Sequence, residues 1–352
     1  MNPLLLDHQY VRRTYKGSGK LPAAPDIYHP EEWIASSTET FASSPSDGNG
    51  LSKVMPEGEL LKDLIARHPV DMLGARRSEK GGGMGVLVKL IDAGERLTIQ
   101  VHPDVQTARK LFDSPYGKTE CWLFLDSDDV AADQHPCVYY GFKEGVTSRL
   151  WRDLFERQDI AAMLDCMHRI EISPGDVILV EGGVPHAIGK GCYLVEVQEP
   201  TDFTLRAERV TPSGLEVPDE MCHLGIGFDR MLDCFSYEGL TEEEARARCI
   251  VPSVVLTRDE VGECARLVGR GSTSCFEMNR FSFAVQGERL LVNDGDYRIL
   301  YVLQGGGRLE SGEGFFVSLK TGDQVFIPAS SRDVRLSMVA ESKVLEVRGP
   351  QL

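Results

Sequence analysis

The chain has 352 residues, with 38 basic against 54 acidic side chains and a formal net charge of −16. Hydrophobic residues make up 42% and charged residues 26%, enough apolar material for a substantial core, so a wholly disordered chain is excluded. The acidic balance argues against a nucleic-acid partner, which needs clustered Lys and Arg, and leaves room for a small anionic ligand held by a few local cations.

In chain order, the first apolar run, Leu4 to Leu6, stops at Asp7, so no signal-peptide core is expected. No stretch approaches the about 18 consecutive apolar residues of a membrane span. The nine cysteines are scattered without a C-x-x-C pair, which points to a reduced, cytoplasmic chain with no disulfide framework. Residues 17–58 are rich in Gly, Ser, Pro and Thr around Trp33 and read as loop and short strand. Residues 59–79 carry a helical stripe of Leu60, Leu61, Leu64 and Ile65. Strands are expected at 85–92, 97–102 and 120–125. One or two helices are expected over 146–168, and strands again over 170–180 and 193–206. Thr241 with Glu244 three residues on is a capping-box pattern that starts a helix over 240–249. From 250 onward short alternating runs and Gly turns favour strands.

Residues 172–183 (ISPGDVILVEGG) and 319–330 (LKTGDQVFIPAS) share a Gly-Asp turn followed by an apolar strand. The first continues to His186, whereas the second continues to Asp333 at the matching place. The pattern predicts two β-domains of related build, the second without the histidine. The division expected is 1–235, with a helical insertion near 146–168, and 236–352.

Gln100 and His102 lie two apart in an expected strand and therefore share a face. Imidazole nitrogen and amide oxygen are both metal donors, although Q-V-H also reads as a water-facing polar edge. His186 follows a Gly-Gly-Val-Pro bend, and Glu120 opens the run E-C-W-L-F-L. Together these four make a candidate Zn²⁺ set, with a spacing that matches no zinc-finger pattern. Lys118, Glu196, Asp202, Arg206 and Lys89 stand near these points and read either as site groups or as solvated surface charges.

The segments IQVHPD (99–104), GKTECW (117–122), PGDVILVEGGVPHAIG (174–189), EVQEPTD (196–202), LRAE (205–208) and PEEWIAS (30–36) carry a resemblance. In kind, order and separation they resemble type I mannose-6-phosphate isomerases of the cupin superfamily, most closely over 30–210. The resemblance implies a mainly β fold of two cupin-like jelly-roll domains with short helical additions. It implies a zinc-dependent aldose–ketose isomerase interconverting mannose 6-phosphate and fructose 6-phosphate, with one Zn²⁺ on Gln100, His102, Glu120 and His186. By the same match Arg206, Glu196, Asp202 and Lys118 are active-site groups, and Lys89 and Thr98 stand near the substrate phosphate. The stretch after LRA reads ERVTPSGLEVP where the family more usually has GLTPK, so a lysine is missing there.

Such chemistry moves a proton between C2 and C1 of an open-chain sugar through an enediol. It needs a cation at the developing oxyanion and a base. Glu196, Asp202 and Lys118 are the base candidates, in that order. Three other readings share this shell: an isomerase of an unphosphorylated sugar such as mannose, an Fe²⁺ oxygenase of the cupin type, and a sugar-binding protein without catalysis.

Overall fold

The computed structural model describes residues 1–21, 23–40, 49–81, 83–127, 135–312 and 314–351. The fold is mainly β and cupin-like with short helices, as the sequence implies. Among the described residues four sheets account for it: one of nine strands, two of six and one of four.

The two six-stranded sheets form the first unit. One orders the strands Val177–Val180, Glu120–Ser127, Cys192–Gln198, Leu87–Asp92, Glu31–Ile34 and Tyr10–Val11. The other orders Met167–Glu171, Cys137–Lys143, His186–Ile188, Gln100–Val101 and Leu205–Arg206, with Gly239–Leu240 beside Cys137–Lys143. Their inner faces meet in one core that holds Trp122, Phe124 and Leu194 from the first sheet and Val138, Tyr140 and Ile188 from the second. Alternate residues of the first sheet, among them Cys121, Leu123, Val195 and Val197, face the other way. They pack in a second core against Met278, Ile299, Phe326 and Val347 of the nine-stranded sheet. The two units are therefore joined by a continuous apolar layer. The N-terminal strand Leu4–Leu6 pairs antiparallel with Gln324–Ile327, which stitches the start of the chain into the C-terminal unit.

The two Gly-Asp segments fold into the same turn. The backbone N–H of Ser173 donates to Asp176 at 2.7 Å, and that of Lys320 donates to Asp323 at 2.8 Å. Gly175 and Gly322 take φ of 95° and 93°, the left-handed region that glycine enters without a Cβ clash. Each turn leads into a fully buried strand, Val177–Val180 or Gln324–Ile327. The barrel of the C-terminal unit is filled by Phe283, Leu300, Leu309, Val325, Leu336 and their neighbours, so its interior is apolar. Asp333, at the place matching His186, accepts the backbone N–H of Asn293.

The expected helix over 59–79 is instead a short strand, Glu59–Leu60, and three short helices, Leu61–Arg67, Pro69–Leu73 and Ala75–Glu79. Pro69 has no N–H to continue the first helix, and Gly74 at φ 90° ends the second. The 146–168 stretch is two helices, Ser148–Arg157 and Ile160–Asp165, split where Gln158 turns left-handed and the Asp159 side chain caps the second. The capping box of Thr241 and Glu244 forms as expected over Glu242–Cys249. Ala245 and Cys249 of that helix are buried in the core of the first unit. We propose that the division into two units be read from these cores, with residues 239–249 packing on the first. The helices Val105–Phe112, Asp219–His223 and Phe228–Leu232 and the strand Cys137–Lys143 had no reading in the sequence.

A Cβ at Gly74 would lie 2.2 Å from the carbonyl oxygen of Gly295, and the backbone there is left-handed. Gly74→Ala is expected to cost about 1–3 kcal/mol, read as a lowered urea midpoint. An unchanged midpoint would show that the helical segment does not press on the 295 turn.

Candidate metal centre and active site

Cross-strand register places two rows of side chains face to face. In the first sheet Trp33 stands opposite Lys89, Lys89 opposite Glu196, and Glu196 opposite Trp122. In the second sheet Arg206 stands opposite Gln100, Gln100 opposite His186, and His186 opposite Tyr140. Side chains that are direct partners in a sheet project to the same side, so each row arrives as a unit. The rings of Trp122 and His186 touch across the gap, with centroids 5.6 Å apart.

His102, Glu120 and His186 are fully buried, and their ligand atoms all lie within 4.8 Å of one another. Two glycines let the three segments converge. A Cβ at Gly117 would come within 2.8 Å of the backbone at 103–105, and one at Gly182 would lie 2.5 Å from the Cα of Asp104. The loops before Lys118 and before His186 therefore rest directly on the turn that follows His102. Backbone bonds lock that contact: Lys118 N–H donates to Pro103 O at 3.0 Å, and Gly183 N–H to His102 O at 2.7 Å.

Both imidazoles are oriented through Nδ1. That nitrogen of His102 donates to Phe203 O at 2.8 Å, and that of His186 to Val184 O at 2.8 Å. With the proton on Nδ1, each Nε2 keeps its lone pair and points into the site. The Nε2 of His102 accepts from the Lys118 ammonium at 2.8 Å, and that of His186 faces the Gln100 amide at 3.1 Å. Burial, with Lys118 adding to it, pushes His102 down to about 4. Burial lowers His186 as well. Burial opposes ionisation of Glu120, yet Lys118 and His102 hold it well below the usual carboxylate range. Its Oε2 is 2.5 Å from Lys118, and its buried Oε1 accepts no hydrogen bond among the described residues.

This donor set fits a divalent metal: two neutral imidazole nitrogens, an ionised carboxylate with one oxygen to spare, and an amide that offers its oxygen when turned over. The Lys118 ammonium already marks the place as one that takes positive charge.

Glu196, Asp202, Lys89, Arg206, Thr98, Gln100 and Lys118 are all buried or half-buried here, and none is a solvated surface charge. All of them except Asp202 line one pocket of about 480 Å³ including its mouth. Lys89 and Thr98 thus share the pocket of Gln100 and Lys118. Lys89 is 3.0 Å from Glu196 and 3.8 Å from Glu31, with its ammonium 5.1 Å from the centre of the Trp33 ring. The second oxygen of Glu196 accepts Trp122 Nε1–H at 3.1 Å. Arg206 donates to the carbonyls of Thr204 and Met221 and has no ion-pair partner among the described residues. Burial, and then the nearby Arg13, lower it to about 10, so it stays cationic at neutral pH.

The sequence reading missed several members of the site. Arg13 and Tyr15 line the pocket from the N-terminal segment, and Glu31 joins them from the adjacent strand. Glu199 accepts the backbone N–H groups of Gly117 and Thr119, on either side of Lys118. Glu208 accepts both arms of Arg96 and the N–H of Ile99, just before Gln100. Glu31, Glu199 and Glu208 sit inside the motif segments PEEWIAS, EVQEPTD and LRAE, which was the available signal. Arg13 had none.

No family model matches the chain. It is 32% identical over 213 residues to the probable mannose-6-phosphate isomerase GmuF of Bacillus subtilis, a match covering 58% of this chain and 60% of that protein. It is 25% identical over 305 residues, 86% of each chain, to the mannose-6-phosphate isomerase ManA of the same organism. Among solved structures, the mannose 6-phosphate isomerase of Bacillus subtilis superposes with a TM-score of 0.73 at 21% identity, over 99% of this chain and 100% of that one. A putative mannosephosphate isomerase of Archaeoglobus fulgidus gives 0.73 at 18% identity over 99% of each.

The two neutral histidines set a pH dependence. An unfolded imidazole protonates near pH 6.5, whereas His102 in the fold does so only near 4. Between these values the unfolded chain binds more protons, so metal-free protein should lose stability as pH falls from 6.5 toward 4, on the order of 3 kcal/mol from His102. Urea unfolding at pH 7 and pH 5 should show the loss, and His102→Asn should flatten it. A wild-type stability that is level across the window would mean that His102 is not held neutral.

Proposed function

We propose that this chain, a relative of the mannose-6-phosphate isomerases with their cupin-like fold, interconverts mannose 6-phosphate and fructose 6-phosphate. The observation that carries the reading is a pocket that sets a fixed row of carboxylate and ammonium, Glu196 and Lys89, beside Gln100 and Lys118, the two residues that touch the buried donor cluster of His102, Glu120 and His186. His102, Glu120 and His186, with Gln100 turned to present its oxygen, would hold one Zn²⁺. When bound, the ion supplies Lewis-acid polarisation of the sugar's carbonyl end.

The chain's own residues do the rest. Glu196 is the base we assign to the transfer between C2 and C1. One of its oxygens faces Lys89 and the other takes the Trp122 N–H, which leaves lone pairs on both. Asp202 is the weaker candidate, because both its oxygens accept from Arg13. Lys118 is engaged by His102 and Glu120, which suits it to balancing charge at the donor cluster. Arg206 places a fixed cation beside Gln100.

Charge supports a phosphorylated substrate. In and directly behind the pocket wall, the cations Arg13, Lys89, Lys118 and Arg206 balance the carboxylates Glu31, Glu120, Glu196 and Asp202, so the site as a whole is formally neutral. A bound dication would leave about two positive charges, which matches the −1.5 to −2 of a phosphate monoester. Lys89 shares its charge with two carboxylates, so Arg206, with Thr98 and Lys89, takes the larger part of the phosphate recognition. The nine cysteines are all free thiols, which supports a reducing, cytoplasmic setting, and no described helix is long and apolar enough to cross a membrane.

The test is a coupled assay of fructose 6-phosphate formed from mannose 6-phosphate, with and without chelator, beside free mannose. Turnover that chelation abolishes and Zn²⁺ restores is expected. Turnover of free mannose alone would remove the phosphate assignment, and silence on both sugars would sink the isomerase. His186→Ala should lose metal and activity together. Glu196→Gln should keep its metal and lose about 10²–10⁴ in kcat. Near-normal kcat in Glu196→Gln would move the base to another residue.

A further inference from the structure

Arg13 belongs to no strand of the catalytic rows and to no motif of the sequence. It follows the edge strand Tyr10–Val11, and its side chain is only 12% exposed. Its two terminal nitrogens each donate to one oxygen of Asp202 at 3.0 Å, the parallel fork that arginine makes with a carboxylate. Its Nε is 3.0 Å from Glu31 Oε1. That same carboxylate accepts Tyr15 O–H at 2.8 Å and Trp33 Nε1–H at 2.9 Å. One side chain therefore spans two carboxylates, Glu31 and Asp202, that lie far apart in the sequence.

We propose that Arg13 is a positioning residue of the active site, tying Glu31 in the pocket wall to Asp202 behind it and holding both carboxylates at fixed angles. The proposal rests on the isomerase reading for its kinetic consequence but not for its electrostatic one. The charged groups around Asp202 are Arg13 from the N-terminal segment, Lys89 from the strand Leu87–Asp92 and Arg206 from the strand Leu205–Arg206. Glu31 stands on the far side of Arg13, with Tyr15 and Glu196 beyond it. Burial disfavours the Asp202 anion, and Arg13 is the largest of the groups that reverse this. Without Arg13 the buried Asp202 keeps only Lys89 and Arg206, of which Lys89 already serves Glu196 and Glu31. Glu31 likewise keeps Lys89 and loses its nearest cation. A protonated Asp202 turns freely, removes a negative charge from beside Arg206, and alters the field at the reacting end of the sugar. A lysine at 13 restores the charge as a point but not the two-pronged geometry.

The test joins a titration to kinetics in the full-length, metal-loaded protein. The ¹³C carboxyl signal of Asp202, assigned with Asp202→Asn, is followed against pH in wild type, Arg13→Met and Arg13→Lys. In wild type the midpoint should lie below the ordinary aspartate range. In Arg13→Met it should rise by at least about one pH unit, the acid limb of kcat/KM should move up with it, and kcat should fall about 10–100-fold. Arg13→Lys should return the acid limb toward wild type while kcat recovers only in part. An Asp202 midpoint and acid limb unmoved in Arg13→Met overturn the proposal. Should that variant not fold, a wild-type kcat in Arg13→Lys does the same. An inactive wild type that still shows the midpoint shift would fell the isomerase reading and leave the role of Arg13 standing. An active wild type with no shift would do the reverse.

Discussion

An ion taken out of water must meet an opposite charge or give up its own, and that constraint organises the whole first unit. Lys89, Lys118, Glu31, Glu120, Glu196 and Asp202 are all buried, and each has an ionic partner within 4.0 Å. The pairings are made by sheet register. Lys89 and Glu196 are direct cross-strand partners, and the tryptophans flanking them in the row donate N–H bonds to Glu31 and Glu196. A slip of one residue in either strand would turn the row to the opposite face, where it would meet the apolar layer between the units.

That apolar layer explains why the C-terminal unit matters to a site it does not line. Glu32 is next to Glu31 and so faces the other way. It accepts from Gln324 of the C-terminal unit and pairs with His8 at 2.5 Å. The Gln324 amide oxygen in turn accepts the N–H of Ala35. The strand that presents Glu31 and Trp33 to the pocket is thus gripped from behind. The C-terminal unit repeats the Gly-Asp turn and the buried strand but fills its barrel with hydrocarbon. The same architecture serves as support in one half and as a charged cavity in the other.

Elements with a strong local signal were legible. The strand Leu87–Asp92, the two helices of 146–168 and the capped helix Glu242–Cys249 follow from alternation, helical spacing and a capping box. The 59–79 stripe had the right period, but Pro69 and Gly74 broke it into three short helices. The helix Val105–Phe112 was missed although Asp104 caps it, because its exposed polar face hides the apolar stripe. Among site residues, those inside short motifs stood out. Arg13 did not, because its meaning lies in Asp202, which is remote in sequence.

The amino-acid sequence by itself determined much of the inventory: many of the segments that become strands, and which residues can donate to a metal. Those properties reside in side-chain chemistry and in neighbours a few residues away. Only the tertiary structure decided which charges pair, which nitrogen of each histidine is free, and that Lys89 and Thr98 share the pocket of Gln100 and Lys118. Pairing energies depend on distance and burial, and both arise only when sheets from distant parts of the chain close on one another.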